Sequence, residues 1–191
     1  MSIFSAIVNA LFGGGSSGPS YGPFDPSDFA RFHEASDEIS NAEDDPAALR
    51  RIYGKYGIQN EDMWGSISLA FYEANKHNPD FHVVAINHRI REQLAGMGDH
   101  YAFPMEYLEP VEGVGMDRLA AIVARREAAG SPAAATQVLA QYGLDEGRFQ
   151  RINATWNARM GGSADAMAAG IIGGFWHTYL SVARSAVQQA A

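Results

Sequence analysis

A tyrosine–glycine pair followed by an aliphatic residue occurs twice in this chain. It stands at Tyr56-Gly57-Ile58 and, about 86 residues later, at Tyr142-Gly143-Leu144. Glycine after a helical pattern indicates a helix end, because it enters the left-handed backbone region without a Cβ penalty. Each copy also follows a segment that opens with a capping residue and proline, at Asp45-Pro46 and Ser131-Pro132. The recurrence predicts two copies of one helical module.

The residues after each turn carry apolar side chains at helical spacing, which predicts an aromatic-bearing helix in both copies. We therefore expect an all-α fold made of two tandem helical modules, about four helices each, related by pseudo-symmetry. Residues 24–96 form module 1 and residues 115–191 form module 2. Residues 97–114 have two prolines and no helical period, so we expect an ordered non-helical connecting arm. The aromatic-helix positions are Trp64, Ile67 and Phe71 in the first copy and Phe149, Ile152 and Trp156 in the second.

Residues 1–23 precede the modules and combine an apolar segment with a flexible linker. Residues 1–12 place their apolar side chains on one helical stripe, and residues 13–23 are rich in glycine and serine. An amphipathic helix of about 11 residues is marginal alone in water, so we expect its apolar stripe to be buried on its own chain or on another molecule. The stripe consists of Ile3, Phe4, Ile7, Val8, Leu11 and Phe12.

The charge balance excludes some partners. The net charge of −8 argues against nucleic acid, which is bound by clustered lysine and arginine. No basic residue precedes Arg31, so a signal peptide is not expected, and we predict a cytoplasmic protein.

The uncharged stretch 166–183 is 18 residues long, at the short limit for a membrane span, and integral insertion is not expected. Within it, Ala166, Gly170 and Gly174 form a small-residue face that predicts close packing against another helix.

No catalytic motif occurs in the sequence, so we predict no catalytic residue, no metal and no cofactor. A phosphate-binding G-x-x-x-x-G-K and a G-x-S-x-G nucleophile turn are both missing. The stretch His33-Glu34-x-x-Asp37 has the helical spacing of two metal ligands but offers no third. The stretch Asp99-His100-Tyr101, with His77, His82 or His88 nearby, is a catalytic candidate for which the sequence shows no partner or pocket. Trp64, Phe71, Trp156, Phe175 and Trp176 fit core positions better than a ligand cavity.

Two motifs carry a resemblance to known proteins. Tyr142-Gly143-Leu144 and the later Trp156-Asn157-Ala158-Arg159-Met160 resemble bacterial all-helical proteins with a domain of unknown function. In those proteins a Y-G-[IL] turn precedes an aromatic helix of the W-x-x-[RK]-M type. The first copy reads Phe71-Tyr72-Glu73-Ala74-Asn75 at the matching place, so it shares only the turn. The resemblance implies an all-helical fold for both modules and no activity or site residues.

The hypothesis we favour is a non-enzymatic interaction or adaptor protein of bacterial type. Its partner would be another protein or a second copy, bound through helical surfaces and the N-terminal stripe. The first alternative is a helical protein that binds a small hydrophobic ligand between the modules. The second is a hydrolase with a histidine–carboxylate site. Besides the stripe, the expected contact residues are Asp28, Glu34, Asp37 and Glu38, on an acidic helix face between residues 25 and 45.

Overall fold

The described part of the chain is all helical. The computed structural model describes residues 20–98, 100–161 and 165–189, with 73% helix and no strand among them. This confirms the all-α prediction, while the tandem modules and their pseudo-symmetry remain a prediction. The eight α-helices described are α1 (Phe29–Asn41), α2 (Pro46–Tyr56), α3 (Glu61–Asn75), α4 (Pro79–Met97), α5 (Met116–Glu127), α6 (Pro132–Gln141), α7 (Glu146–Met160) and α8 (Ala166–Gln188), with a 3-10 turn at Met105–Leu108.

Aspartate, asparagine or serine directly before a helical pattern predicts a helix start, and four of these helices begin at such residues. The side chains of Asp45, Asn60, Ser131 and Asp145 each accept a hydrogen bond from the amide three residues later, at 2.7 to 3.2 Å. Each cap satisfies one of the amides that a helix leaves unbonded in its first turn. Helices α2, α3, α6 and α7 are therefore fixed at their starts by local sequence.

Two other helices begin differently from the prediction. Asp25 before Pro26 predicts the start of the first helix by the same rule, but α1 begins at Phe29 and Asp28 is its cap. The carboxylate of Asp25 instead accepts from the amide and hydroxyl of Ser27, at 2.8 and 2.6 Å, and this local turn competes with the helix. Helix α8 is capped by Asp165. The same rule predicts Ser163 as the cap of this helix, and Ser163 lies outside the described residues.

Both tyrosine–glycine pairs lie at helix ends, as predicted. Gly57 has φ of 72° and Gly143 has φ of 68°, in the left-handed region. The amide after each glycine donates to the carbonyl five residues earlier, at 2.8 and 3.0 Å. This is the hydrogen-bond pattern of the Schellman helix ending. The local turn is thus the same in both places.

The backbone contacts divide the chain into two compact units, and the first ends at Lys76. In its described part, residues 20–76, an aromatic cluster fills the core. The rings of Phe32 and Phe71 stack with centroids 4.2 Å apart, and Phe24 contacts both. Trp64 stacks on Phe32 at 5.6 Å. Burying these large rings supplies the main hydrophobic stabilisation of the unit.

The second unit begins at His77, and its described helices α4 to α8 share one core. Helix α5 packs against α4, α6 and α8, and α4 also packs against α8. The sequence places α4 in the module of residues 24–96, but its buried face lies in this second core. That face consists of Val83, Ile86, Ile90 and Leu94, whose spacing of three to four residues predicts one side of a helix.

The prediction that the small-residue face of α8 packs against another helix is wrong. Ala166, Gly170 and Gly174 are exposed, and a Cβ on either glycine would meet no neighbouring atom within 4 Å. The opposite face is buried instead, because it carries larger apolar side chains such as Ile172 and Phe175. Burying these side chains removes more apolar surface from water than burying glycine.

Candidate docking groove

An apolar groove lies on the surface of the second unit. It consists of two adjoining depressions of about 270 and 240 Å³, which share Arg91, Leu94 and Met105. Helix α4 forms one wall, the connecting arm forms the other, and the start of α5 and the middle of α8 close the first depression. The groove therefore lies within one compact unit.

The floor of the groove is made of core side chains. Ile90 and Leu94 are one turn apart on α4, and Phe175 and Tyr179 are one turn apart on α8. All four are less than a tenth exposed, so their inner faces belong to the core while their outer edges line the groove. Met105 lines both depressions and is 58% exposed.

One end of the groove is polar and its groups are already bonded. The hydroxyl of Tyr179 donates to Oδ1 of Asn87, and Nδ2 of Asn87 donates to Oδ2 of Asp117 at 2.9 Å. The amide of Arg118 donates to the other oxygen of Asp117 at 2.7 Å. Burial, and then the nearby Asp117 charge, raise the pKa of Tyr179, which keeps its phenol neutral. The guanidinium of Arg91 donates to the carbonyl of Asn87 at 3.3 Å.

The arm wall is fastened to α7 by side chains that bond to its backbone. The Arg159 guanidinium donates to the carbonyls of Glu109 and Tyr107, at 2.6 and 3.2 Å. Further along, the indole of Trp156 donates to the carbonyl of Val114 at 3.3 Å. Arginine can hold two acceptors in one plane, so the arm keeps a fixed position. The separate non-helical arm over residues 97–114 stays a prediction, and its described part contains the 3-10 turn at Met105–Leu108.

The other end of the arm is fastened to the start of α8. The Tyr101 hydroxyl donates to Oδ2 of Asp165, whose Oδ1 caps α8 through the amide of Ala168 at 2.9 Å. Desolvation, followed by this bond, raises the pKa of Tyr101 to about 12. The same hydrogen bond is the main cause that lowers the pKa of Asp165. At neutral pH, Tyr101 is therefore a neutral phenol and Asp165 is a carboxylate.

The predicted acidic contact residues lie on or beside α1 and are engaged within the first unit. Asp28 caps the helix by accepting from the amide of Arg31 at 3.1 Å. The ammonium of Lys55 lies 3.4 Å from a Glu34 oxygen and 2.6 Å from a Glu38 oxygen. Asp37 lies half-buried on the same helix. Their role in binding a partner stays a prediction, as does that of the apolar stripe (Ile3, Phe4, Ile7, Val8, Leu11 and Phe12), which lies outside the described residues.

The histidine candidates do not assemble into a recognised site in the described chain. No group of three or more histidine, aspartate or glutamate side chains is placed to hold a metal ion there. The rings of His33 and Phe32 meet edge to face with centroids 5.3 Å apart, and those of His82 and Phe81 do so at 5.4 Å. His100 is exposed. Asp99 and the side chain of His88 lie outside the described part.

The aromatic residues weighed as a ligand cavity lie in two separate cores. Trp64 and Phe71 belong to the first unit, and Trp156 and Phe175 belong to the core of the second. Trp176 is partly buried against the second core. These side chains therefore fill space in the two units, as their helical spacing suggests.

A polar cluster that the sequence does not reveal joins α4, α5 and α6. The Tyr142 hydroxyl donates to Oδ2 of Asp80 at 2.6 Å, and the Arg125 guanidinium donates to the same oxygen at 3.2 Å. Arg125 also lines an open depression of about 370 Å³ together with His77 and Gln141. The positions are 62 and 45 residues apart in sequence, so no local pattern could have paired them.

No protein-family model, curated protein or solved structure shows significant similarity to this chain. The resemblance carried by the tyrosine–glycine turn therefore stays a prediction. None of the described helices combines the length and the apolar character that a membrane span requires. The assignment of function rests on the geometry of the groove.

Proposed function

We propose that this chain is a non-enzymatic interaction protein, an adaptor of the bacterial cytoplasm, whose partner docks an apolar helix in the groove. The observation that carries the proposal is Met105, which is 58% exposed beside a floor of buried apolar side chains. Methionine is flexible and polarisable, and surfaces that bind apolar helices use it to adapt to the incoming side chains.

The size of the groove favours side-chain anchors over a small ligand. Its two depressions measure about 270 and 240 Å³, and both are open to solvent. Each depression alone is smaller than the roughly 300 Å³ at which cavities for drug-sized ligands begin, and an open groove does not bury most of a ligand's surface. Two adjoining shallow depressions match successive anchor residues on one face of a helix.

The chemistry of the groove favours binding over catalysis. Among the described residues that line it, Arg91 and Asp117 alone are charged, and no histidine is present. Both oxygens of Asp117 accept hydrogen bonds, and Tyr179 is bonded to Asn87. A general acid or base must reach the substrate proton, whereas these groups already hold one another.

The test uses a photo-reactive amino acid at Ala102, an exposed residue of the groove, in the full chain inside bacterial cells. Two backgrounds are compared: Met105→Glu, and Met167→Glu as the matched control. Met167 is 57% exposed in the same unit but does not line the groove. We expect a protein adduct that persists in the Met167→Glu background and is lost in the Met105→Glu background. Equal adducts in both backgrounds would contradict the proposal.

A second candidate is a protein that binds a small ligand, and the open depression near Arg125 favours it. That depression, of about 370 Å³, reaches the size of ligand sites and combines Val138 and Val187 with Gln137 and Gln141. Native mass spectrometry of the purified chain tests this candidate. A bound small molecule that is lost on Val138→Glu would favour it over the adaptor.

A further inference from the structure

The strongest unassigned feature of the sequence is the apolar segment of residues 3–12. No aspartate, glutamate, lysine, arginine or histidine occurs before Asp25, so the segment and its linker carry no charged side chain. We propose that the groove of the second unit binds this segment of the chain itself. The inference rests on the proposed function, because it names the first occupant of the proposed docking site.

The lengths of the segment and the groove agree. A ten-residue helix is about 15 Å long at 1.5 Å per residue. The groove-lining residues of α4 and its C-cap run from Asn87 to Gly98, which spans about 17 Å by the same rise. Anchor side chains one and two turns apart on the segment, such as Phe4 and Leu11, can therefore reach both depressions.

The charge of the groove also selects this occupant. Its floor is apolar, and the carboxylate of Asp117 is already held by Asn87 and by the amide of Arg118. A basic helix would lose hydration there without gaining a free carboxylate, and Arg91 is the one cation among the described residues that line the groove. The uncharged stripe of residues 3–12 loses little, and it covers apolar surface that would otherwise face water.

The linker of residues 13–19 gives this binding a consequence for the adaptor. Its glycine- and serine-rich sequence is flexible by composition. A tethered segment competes at an effective concentration in the millimolar range when its linker can reach the site. When residues 3–12 come from the same molecule, a partner helix must displace them against this effective concentration; a segment from a second copy competes only at the concentration of the chain.

The natural absence of cysteine allows a direct test in the full chain. Leu11→Cys is combined with Met105→Cys, and the matched control combines Leu11→Cys with Met167→Cys. Each variant is first checked for an unchanged thermal melt and then treated with a short bifunctional maleimide. We expect the cysteine at position 11 to cross-link to the cysteine at position 105 on the order of tenfold more than to the one at position 167, because only the groove holds the segment. A monomeric or dimeric product on the gel tells which copy supplies the segment, and either supports the proposal.

Equal cross-linking at positions 105 and 167, or none at either, would overturn the proposal. The fate of the adaptor function is read separately, from the photo-adducts formed at position 102. If those adducts depend on Met105 while position 11 does not cross-link to position 105, the docking function stands and the segment is not its occupant. If the adducts also ignore Met105, both ideas fail.

Discussion

The hydroxyl of Tyr142 donates a 2.6 Å hydrogen bond to Oδ2 of Asp80, and this bond joins the end of α6 to the first turn of α4. The tyrosine of the other turn has a similar partner, since the Tyr56 hydroxyl donates to Glu38 at 3.2 Å. Each tyrosine thus ends a helix beside a glycine and also reaches a carboxylate on another helix. The repeated turn serves both as a helix stop and as a tertiary contact.

Replacing Tyr142 by phenylalanine should destabilise the second unit. Hydrogen bonds to charged groups contribute about 1.5–3 kcal/mol, and the substitution leaves the half-buried Asp80 with one donor fewer. Urea denaturation should report a loss in this range. Tyr72→Phe is the control, since Tyr72 is 53% exposed, and it should leave the free energy of unfolding nearly unchanged. Equal stability of the two variants would show that the Tyr142 bond contributes nothing.

The free energy of unfolding should decrease at alkaline pH. Burial, and then the bond to Asp80, raise the pKa of Tyr142 above its ordinary value of 10.0. Between that value and the raised one, the folded chain binds more protons than the unfolded chain, so stability decreases as the pH rises. Below about pH 10 the contribution is fully present. We expect a smaller loss of stability between about pH 9 and about pH 11 in Tyr142→Phe than in the unmodified chain, measured by urea denaturation. Identical slopes would contradict the raised pKa.

Alanine should have opposite effects at two glycines of the second unit. A Cβ added at Gly143 or at Gly170 would have no neighbouring atom within 4 Å, so the two substitutions differ only in their backbone conformation. Gly143 has φ of 68°, and alanine there should cost about 1–2 kcal/mol. Gly170 lies inside α8, where alanine should stabilise by up to about 1 kcal/mol. Thermal melts that shift in the same direction for both variants would refute this expectation.

The connecting arm should open more often to hydrogen exchange when Arg159 is replaced by lysine. The Arg159 guanidinium bonds to two arm carbonyls and lies 4.6 Å from the centre of the Trp156 ring, which a lysine ammonium cannot reproduce. We expect faster amide hydrogen exchange over residues 105–111 in Arg159→Lys. Arg184→Lys is the control, because Arg184 pairs with Glu127 elsewhere in the unit. Unchanged exchange in the arm would mean that other contacts hold it.

The sequence predicted those parts of the fold that depend on local chemistry. Caps such as Asn60 and Asp145 and stops such as Gly57 are set by neighbours a few residues away, so their positions could be read directly. The burial of α4 could also be read from its period, but the unit it joins could not, because that depends on distant partners. The same limit hid the bond between Tyr142 and Asp80.

The groove was beyond prediction for a related physical reason. Its walls come from α4, the arm, α5 and α8, and their approach depends on packing rather than on any motif. The small-residue face of α8 was misjudged because spacing alone cannot tell which face of a helix meets a neighbour. Gly170 and Gly174 face solvent, whereas Ile172 and Phe175 meet the core.

The most direct measurement of the docking claim is the binding of a labelled peptide of residues 1–12 to the groove. Fluorescence anisotropy is followed on the full chain carrying Ile7→Asp and Leu11→Asp, so that its own segment does not compete. We expect saturable binding that Met105→Glu weakens at least about tenfold, or about 1.4 kcal/mol, and that Met167→Glu leaves unchanged. Equal affinity in the Met105→Glu and Met167→Glu variants, or no binding to the chain with both methionines intact, would contradict the groove as the site that binds residues 1–12.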